Sequence, residues 1–304
     1  MPDTSKNAAD SAVRLGLICG VLAYGMWGLL PIYLKQLGMV DPLEIVVQRI
    51  LWSVPFGALI LTFRKQWVET LKAFRSPRML ALLGFSATVI GLNWLTYVWA
   101  VANDRVLQAS LGYYINPLMF VAAGVFVLKE KLGRLQMVAV ALAATGVAVL
   151  AIGAGVVPWV SIILALSFTA YGYARKTLNV GAMPGLFIET VLLAPFAFSF
   201  LLWFSGAHGL AFGNAGVRID LLLIAAGPVT VLPLMFFALA ARRLTFTTLG
   251  FLQYIGPTGQ LLLGLYYGEP FTLYHGICFG LIWAALSILS VDALRKNRKP
   301  RPPV

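Results

Sequence analysis

Two stretches decide how this chain is read: WAVANDRVLQASLGYYINP (99–117) and FALAARRLTFTTLGFLQYIGP (237–257). They share a skeleton of A-x-A-x-x-R, then Ser/Thr-Leu-Gly-aromatic, then Tyr-Ile-x-Pro. The spacing between copies is 138 residues up to the glycines (Gly112, Gly250) and 140 from the tyrosines (Tyr114, Tyr254) onward. An internal repeat of this length means that the fold is assembled from two like units. Carried back, the 140 spacing pairs Pro55 with Pro195 and Arg49 with Glu189. The units are residues 1–155 and 156–304.

The composition identifies the solvent of those units. Of 304 residues 60% are hydrophobic and only 11% charged, and the mean hydropathy is +0.86. Soluble domains run about 45–50% apolar and about 25% charged, so most of this surface faces lipid. Ten windows approach the roughly 20 apolar residues that a membrane-crossing helix needs: Val13–Leu34, Pro42–Phe63, Leu80–Val101, Val106–Leu128, Leu135–Gly153, Pro158–Ala174, Pro184–Trp203, Asp220–Ala241, Thr245–Tyr267 and Thr272–Ala293. A β-barrel would need alternating apolar and polar residues in short runs, and these runs are long and unbroken. The expected fold is an all-α integral membrane protein of ten transmembrane helices, five per repeat. An odd number of spans per unit obliges the second copy to insert upside down relative to the first, the plan of secondary transporters.

The net charge of +12 is distributed by topology. With the N-terminus inside, 19 of the Lys and Arg residues fall in inside segments, among them Arg64–Arg78, Lys129–Arg134, Arg175–Lys176, Arg242–Arg243 and the C-terminal tail. Three fall outside: Lys35, Arg105 and Arg218. Positive residues mark the cytoplasmic side, so both termini are expected in the cytoplasm. Basic clusters between apolar runs do not form a nucleic-acid surface. The longest inside loop, Arg64–Met79, mixes Trp67, Val68 and Leu71 with basic residues, as a membrane-surface turn or a solvated loop would. Met1–Val13 is polar with no apolar core, so no cleavable leader is expected. Two cysteines and two histidines, isolated from one another, give no metal or disulfide framework, and no cofactor is expected. No G-x-x-x-x-G-K-[ST] phosphate loop occurs.

AYGMWGLLPIYLK, EIVVQRILWS, GLNWLTYVWAV, SLGYYINPL, LSFTAYGYARK, LFIETVLL, LLIAAGPVT and TLGFLQYIGPT, in that order along the chain, resemble the RarD-type permeases of the EamA family, within the drug/metabolite transporter superfamily. The resemblance spans nearly everything between the tails. It implies a bacterial inner-membrane protein with ten helices in an inverted five-plus-five repeat. It also implies transport or export of small metabolites or drugs, an amino-acid-like solute or an amphiphilic drug among them. Small multidrug relatives use a glutamate in the first helix as proton site; this chain has no acid in its first span.

Residues able to meet a solute are few. Arg49 and Glu189 are charges within spans, which are costly and face a cavity or a partner. Arg49 would attract an anion; Glu189 would attract an amine or titrate. Placed about 10 Å and about 8 Å from opposite membrane edges, they are too far apart to pair. The competing reading for each is a structural bond to a helix end. Asn93 and Tyr97 share a helix face beside Trp94, a polar and aromatic stripe suited to a flat solute or to helix–helix bonding. Tyr114 and Asn116 precede Pro117, and Gln253 and Tyr254 precede Pro257. Proline frees a carbonyl one turn earlier, so Pro117 and Pro257 predict broken helices near mid-membrane in both repeats, lining a site or forming a hinge. Pro31, one turn after Trp27, and Tyr171, one turn after Ser167, are further candidates for gate and wall.

Overall fold

The computed structural model describes residues 3–103, 106–154, 159–268 and 272–298, and every regular element among them is a helix. In order these are α1 (Asp3–Gln36), α2 (Pro42–Phe63), α3 (Trp67–Phe74), α4 (Pro77–Ala102), α5 (Val106–Phe126), α6 (Arg134–Ala154), α7 (Trp159–Thr177), α8 (Ala182–His208), α9 (Val217–Ala241), α10 (Phe246–Gln253), α11 (Ile255–Tyr266) and α12 (Leu273–Arg298). Among the described residues seven helices are long and apolar enough to cross a membrane: α1, α2, α4, α6, α8, α9 and α12. The protein is therefore an all-helical, multi-pass membrane protein. Large apolar side chains such as Phe85, Leu95, Leu202, Trp203 and Leu221 are about 60% exposed, an arrangement that lipid solvates and water does not. Arg105 and Glu269 lie outside the described residues.

Three departures from the sequence expectation matter. The window Thr245–Tyr267 is not one helix but two, α10 and α11, joined at Tyr254. The matching break at Pro117 is absent: α5 runs through it, as α1 runs through Pro31, α2 through Pro55 and α8 through Pro195. Proline 257 is the third residue of α11, in the first helical turn, where its missing N–H costs no intrahelical bond. The loop Arg64–Met79 contains α3, whose Trp67 ring meets Phe187 of α8 edge-on at 5.4 Å while Glu69 Oε1 accepts from the Gly181 backbone N–H at 2.6 Å.

Helices that lack a hydrophobic drive to associate in lipid rely on close approach of their backbones. Helix α9 does this at Gly227: a Cβ there would lie 2.4 Å from the Trp52 carbonyl oxygen of α2. Gly16 and Gly20 of α1 make room for Leu244 and Leu252 in the same way. Helix α1 packs against α9 and α11, α7 against α4 and α5, α2 against α8 and α9, α5 against α10, and α6 against α12.

The two ends of the bundle are held differently. At the end carrying the basic loops, cations cap the carbonyls that helix termini leave open. Lys176 Nζ donates to Leu244 O at 2.6 Å and Ala241 O at 3.2 Å, and Arg242 donates to Val180 O. At the opposite end, Glu44 accepts from the Ala211 and Phe212 backbone N–H groups at 2.9 Å each, pinning the α8–α9 connection to the start of α2.

Candidate functional site

A cavity of about 140 Å³ lies between the helices, walled by α1, α2, α4, α5, α7, α9 and both halves of the broken α10–α11 pair. Arg49 of α2 is the charged residue in its wall. Its Nε donates to Thr230 Oγ1 of α9 at 2.9 Å, and its guanidinium stands 5.6 Å from the Trp94 ring centroid. Among the described residues neither Nη nitrogen has a hydrogen-bond partner, and no Asp or Glu lines the cavity. A cation held in hydrocarbon costs on the order of 2.5–3.5 kcal/mol. The Thr230 hydroxyl and the Trp94 π-face offset part of that cost.

The rest of the wall is aromatic and amide. Asn93 donates to Leu164 O and Ser167 Oγ, each at 2.9 Å, which turns α4 and α7 toward one another. Tyr97 and Tyr113 face each other at 6.3 Å between α4 and α5. Asn116 and Gln253 both line the cavity, and each keeps a buried amide oxygen without a partner. Gln260 of α11 donates to the Trp27 carbonyl at 3.3 Å. The break at Tyr254 sits at mid-bundle, where backbone irregularity is tolerated in a protein-lined space.

Between the cavity and the basic end lies a plug of rings. Trp27 stands 5.7 Å from Phe168 and 5.9 Å from Phe237; Tyr171 stacks on Phe237 at 6.0 Å with 16° between planes; Phe120 stacks on Phe246 at 4.8 Å. Below it, Glu130 accepts from the backbone N–H groups of Phe246 (2.6 Å) and Thr247 (2.9 Å) and from Thr247 Oγ1 (2.7 Å), closing the start of α10. The cavity extends the other way: Leu34 is near the last residue of α1 and Arg49 is about two turns into α2. Both of those termini belong to the non-basic end.

The structure brings together Arg49, Asn93, Trp94, Tyr97, Asn116 and Gln253, with Pro257 beside them. It places four other sequence candidates elsewhere. Glu189, expected on the pathway, is buried with Arg175, Nη1 to Oε1 at 3.3 Å, and the Tyr171 hydroxyl lies 3.4 Å from its other oxygen. Arg175 Nη2 also donates to Ala182 O at 2.7 Å. Glu189 and Arg175, with the hydroxyl of the plug residue Tyr171, thus form a polar knot at the back of the plug and do not line the cavity, because the cation that neutralises the carboxylate is the last-turn arginine of α7. Tyr114 and Tyr254 pack away from the cavity in a shared cluster with Cys278 and its neighbours on α12, Tyr114 edge-on to Phe279 at 5.4 Å. Tyr24 and Phe168 also line the wall, as do Tyr113 and Gln260 of the two proline-bearing segments. Each lies one helical turn from a residue the sequence singles out: Trp27, Tyr171, Asn116 and Pro257.

A multi-pass helical bundle enclosing one polar and aromatic hollow, sealed at one end, is the anatomy of a membrane transporter. The chain belongs to the EamA-like transporter family, whose match covers residues 14–152. It is 44% identical over 294 residues to protein RarD of Streptomyces exfoliatus, covering 96% of this chain and 93% of that one. It is 45% identical over 298 residues to an uncharacterized transporter of Pseudomonas aeruginosa, covering 97% and 99%. A solved crystal structure with 18% identity superposes with a TM-score of 0.70 over 91% of this chain and 98% of that chain, a likeness of fold alone.

Proposed function

We propose that this protein carries a small solute across the bacterial inner membrane by alternating access around the Arg49 cavity, and that it is not an enzyme. The carrying observation is a polar hollow at mid-bundle, closed toward the basic end by stacked rings and the Glu130 bonds and extended toward the other end. With the basic loops in the cytoplasm, both termini are cytoplasmic and this is the outward-directed arrangement of the cycle. The chain then crosses ten times, the α10–α11 pair counting as one span and α3 as none, in two units of five with opposite orientation.

Helix packing supports that plan. Exchanging the units (α1 with α7, α2 with α8, α4 with α9, α5 with α10–α11, α6 with α12) turns α1–α9 into α7–α4, α2–α9 into α8–α4 and α1–α11 into α7–α5. All of these pairs are in contact, and α2–α8, α5–α10 and α6–α12 map onto themselves. A rocking of one unit against the other would open the plugged end while closing the first.

Reconstitution tests the reading. Proteoliposomes holding the purified chain are expected to take up members of a panel of amino acids, aromatic acids and amphenicols above the rate of empty vesicles, with and without a pH gradient. A cysteine introduced at Asn93 is expected to react with membrane-impermeant maleimide from either face. Absence of uptake for the whole panel, together with reactivity from one face only, refutes alternating access.

A further inference from the structure

We infer that the cavity is built for an organic anion: a flat body of about one ring that brings a carboxylate or sulfonate to Arg49, rather than for a cation. The inference rests on the transporter reading of the cavity and names the class of solute that this same site takes.

Charge is the first argument. Arg49 brings one positive charge to the wall, and no carboxylate among the described residues lines the cavity to cancel it. The acid that its position in the repeat pairs with it, Glu189, is already neutralised by Arg175 in a separate buried knot. An empty cavity therefore carries uncompensated positive charge in a low-dielectric setting, and an anion is what lowers its energy. A cationic solute would add to it. The unpartnered amide oxygens of Asn116 and Gln253 can accept a hydrogen-bond donor elsewhere on the same body but bring no countercharge of their own.

Geometry is the second. The guanidinium is already tethered: Nε donates to Thr230 and its carbon lies 5.6 Å from the Trp94 ring centroid, while among the described residues neither Nη nitrogen has a hydrogen-bond partner. That is the edge from which arginine grips a carboxylate or a sulfonate. Thr230 is itself held, its hydroxyl donating to Ala226 O at 2.8 Å, so the arrangement precedes any solute. Shape is the third. A hollow of about 140 Å³ is of the order that admits a single benzene ring. Its ring-bearing walls, with Trp27, Trp94, Tyr97 and Phe168, offer flat faces to such a body.

The test is equilibrium binding to the purified full-length chain in lipid nanodiscs, read from tryptophan fluorescence. The panel shares a single phenyl ring and differs in the charge of its substituent: benzoate, benzenesulfonate, benzamide and benzylamine. Benzoate and benzenesulfonate are expected to bind at least tenfold more tightly than the other two. Arg49→Gln is expected to weaken benzoate by roughly 10- to 100-fold, the loss of charge-assisted hydrogen bonds, while benzamide changes less than threefold. Arg49→Lys should recover part of the loss. Thr230→Val, which frees the guanidinium without removing its charge, should weaken benzoate by less than Arg49→Gln and reports on orientation should the glutamine variant not fold. Tighter binding of benzylamine or benzamide, no binding by any of the four, or unchanged benzoate affinity in Arg49→Gln overturns the proposal. Benzenesulfonate stays charged and does not leak through lipid, so its uptake into proteoliposomes is measured in parallel. Anion-selective binding with no uptake leaves the site standing and fells the transport reading. Uptake of other solutes without anion preference does the reverse.

Discussion

Replacing Glu189 separates two roles for a membrane-buried acid. Its carboxylate is 2% exposed, and its partner Arg175 is 1% exposed and 3.3 Å away. Glu189→Leu would leave the arginine with the Ala182 carbonyl at 2.7 Å and the more distant Gly181 carbonyl at 3.5 Å. Those acceptors solvate a cation but do not neutralise it. Removing one member of a buried ion pair costs about 3–5 kcal/mol, most of it the stranded charge. Removing both and filling the space with apolar side chains is close to neutral. Glu189→Leu is therefore expected to melt far below the parent and to accumulate poorly in the membrane, with Arg175→Met/Glu189→Leu recovering most of the loss. Thermal melting of detergent extracts, followed by size-exclusion fluorescence, gives the four corners of the cycle. Benzoate binding by the recovered double variant then reports whether the knot touches the solute, and near-parental affinity is expected. A Glu189→Leu protein that melts like the parent yet has lost uptake would show that the carboxylate serves transport, and the structural assignment would fall.

Two further substitutions probe the frame. Gly227→Ala forces a Cβ to within 2.4 Å of the Trp52 carbonyl, so α2 and α9 must part by about half an ångström or more, one turn from the Arg49–Thr230 bond. A loss of about 1–3 kcal/mol is expected, with weaker benzoate binding, while Gly280→Ala, which meets nothing within 4 Å, should be neutral by the same melting assay. Glu130→Gln removes the charge and one of the two acceptor oxygens at the start of α10. Loss of about 1–2 kcal/mol of capping should raise amide hydrogen exchange across residues 246–250 by roughly 5- to 30-fold, and unchanged exchange would show that the bonds do not hold that end closed.

Much of this arrangement can be read in the chain because lipid simplifies the grammar. A charge in an apolar run has few explanations, so Arg49 stands out at once, and the amide–phenol stripe of Asn93 and Tyr97 beside Trp94 does so for the same reason. Glu189 stands out equally, and its misplacement on the pathway shows where the grammar fails. Its partner Arg175 sits next to Lys176 at the end of a span, where basic residues are assigned to water. In the structure α7 continues to Thr177, and Arg175, one turn beyond Tyr171 on the face that begins at Ser167, is turned inward to 1% exposure. Following that face one turn further would have found it. The plug is harder to see. Its rings come from α1, α5, α7, α9 and α10, and aromatic residues scattered over five helices have no sequence signature.

The broken helix carries the clearest physical lesson. Both repeats have a proline at the same place, yet only the second breaks, so proline alone does not decide it. Gly112 and Pro117 are five residues apart, Gly250 and Pro257 seven. Two extra residues advance an α-helix by about 200°, so the spacing changes which face follows the glycine in the second copy. The interruption falls at Tyr254, which itself keeps helical dihedrals (φ −64°, ψ −13°) and is therefore a local kink. Tyr254 lies in the cluster that holds Tyr114, and Gly256, like its counterpart Asn116, lies in the cavity wall. Gln253, one of the inserted residues, joins that wall. The step in repeat spacing from 138 to 140 thus falls where the helix is interrupted, and it marks an asymmetry: both halves contribute to the hollow, but only the second carries an interruption in the helix that lines it.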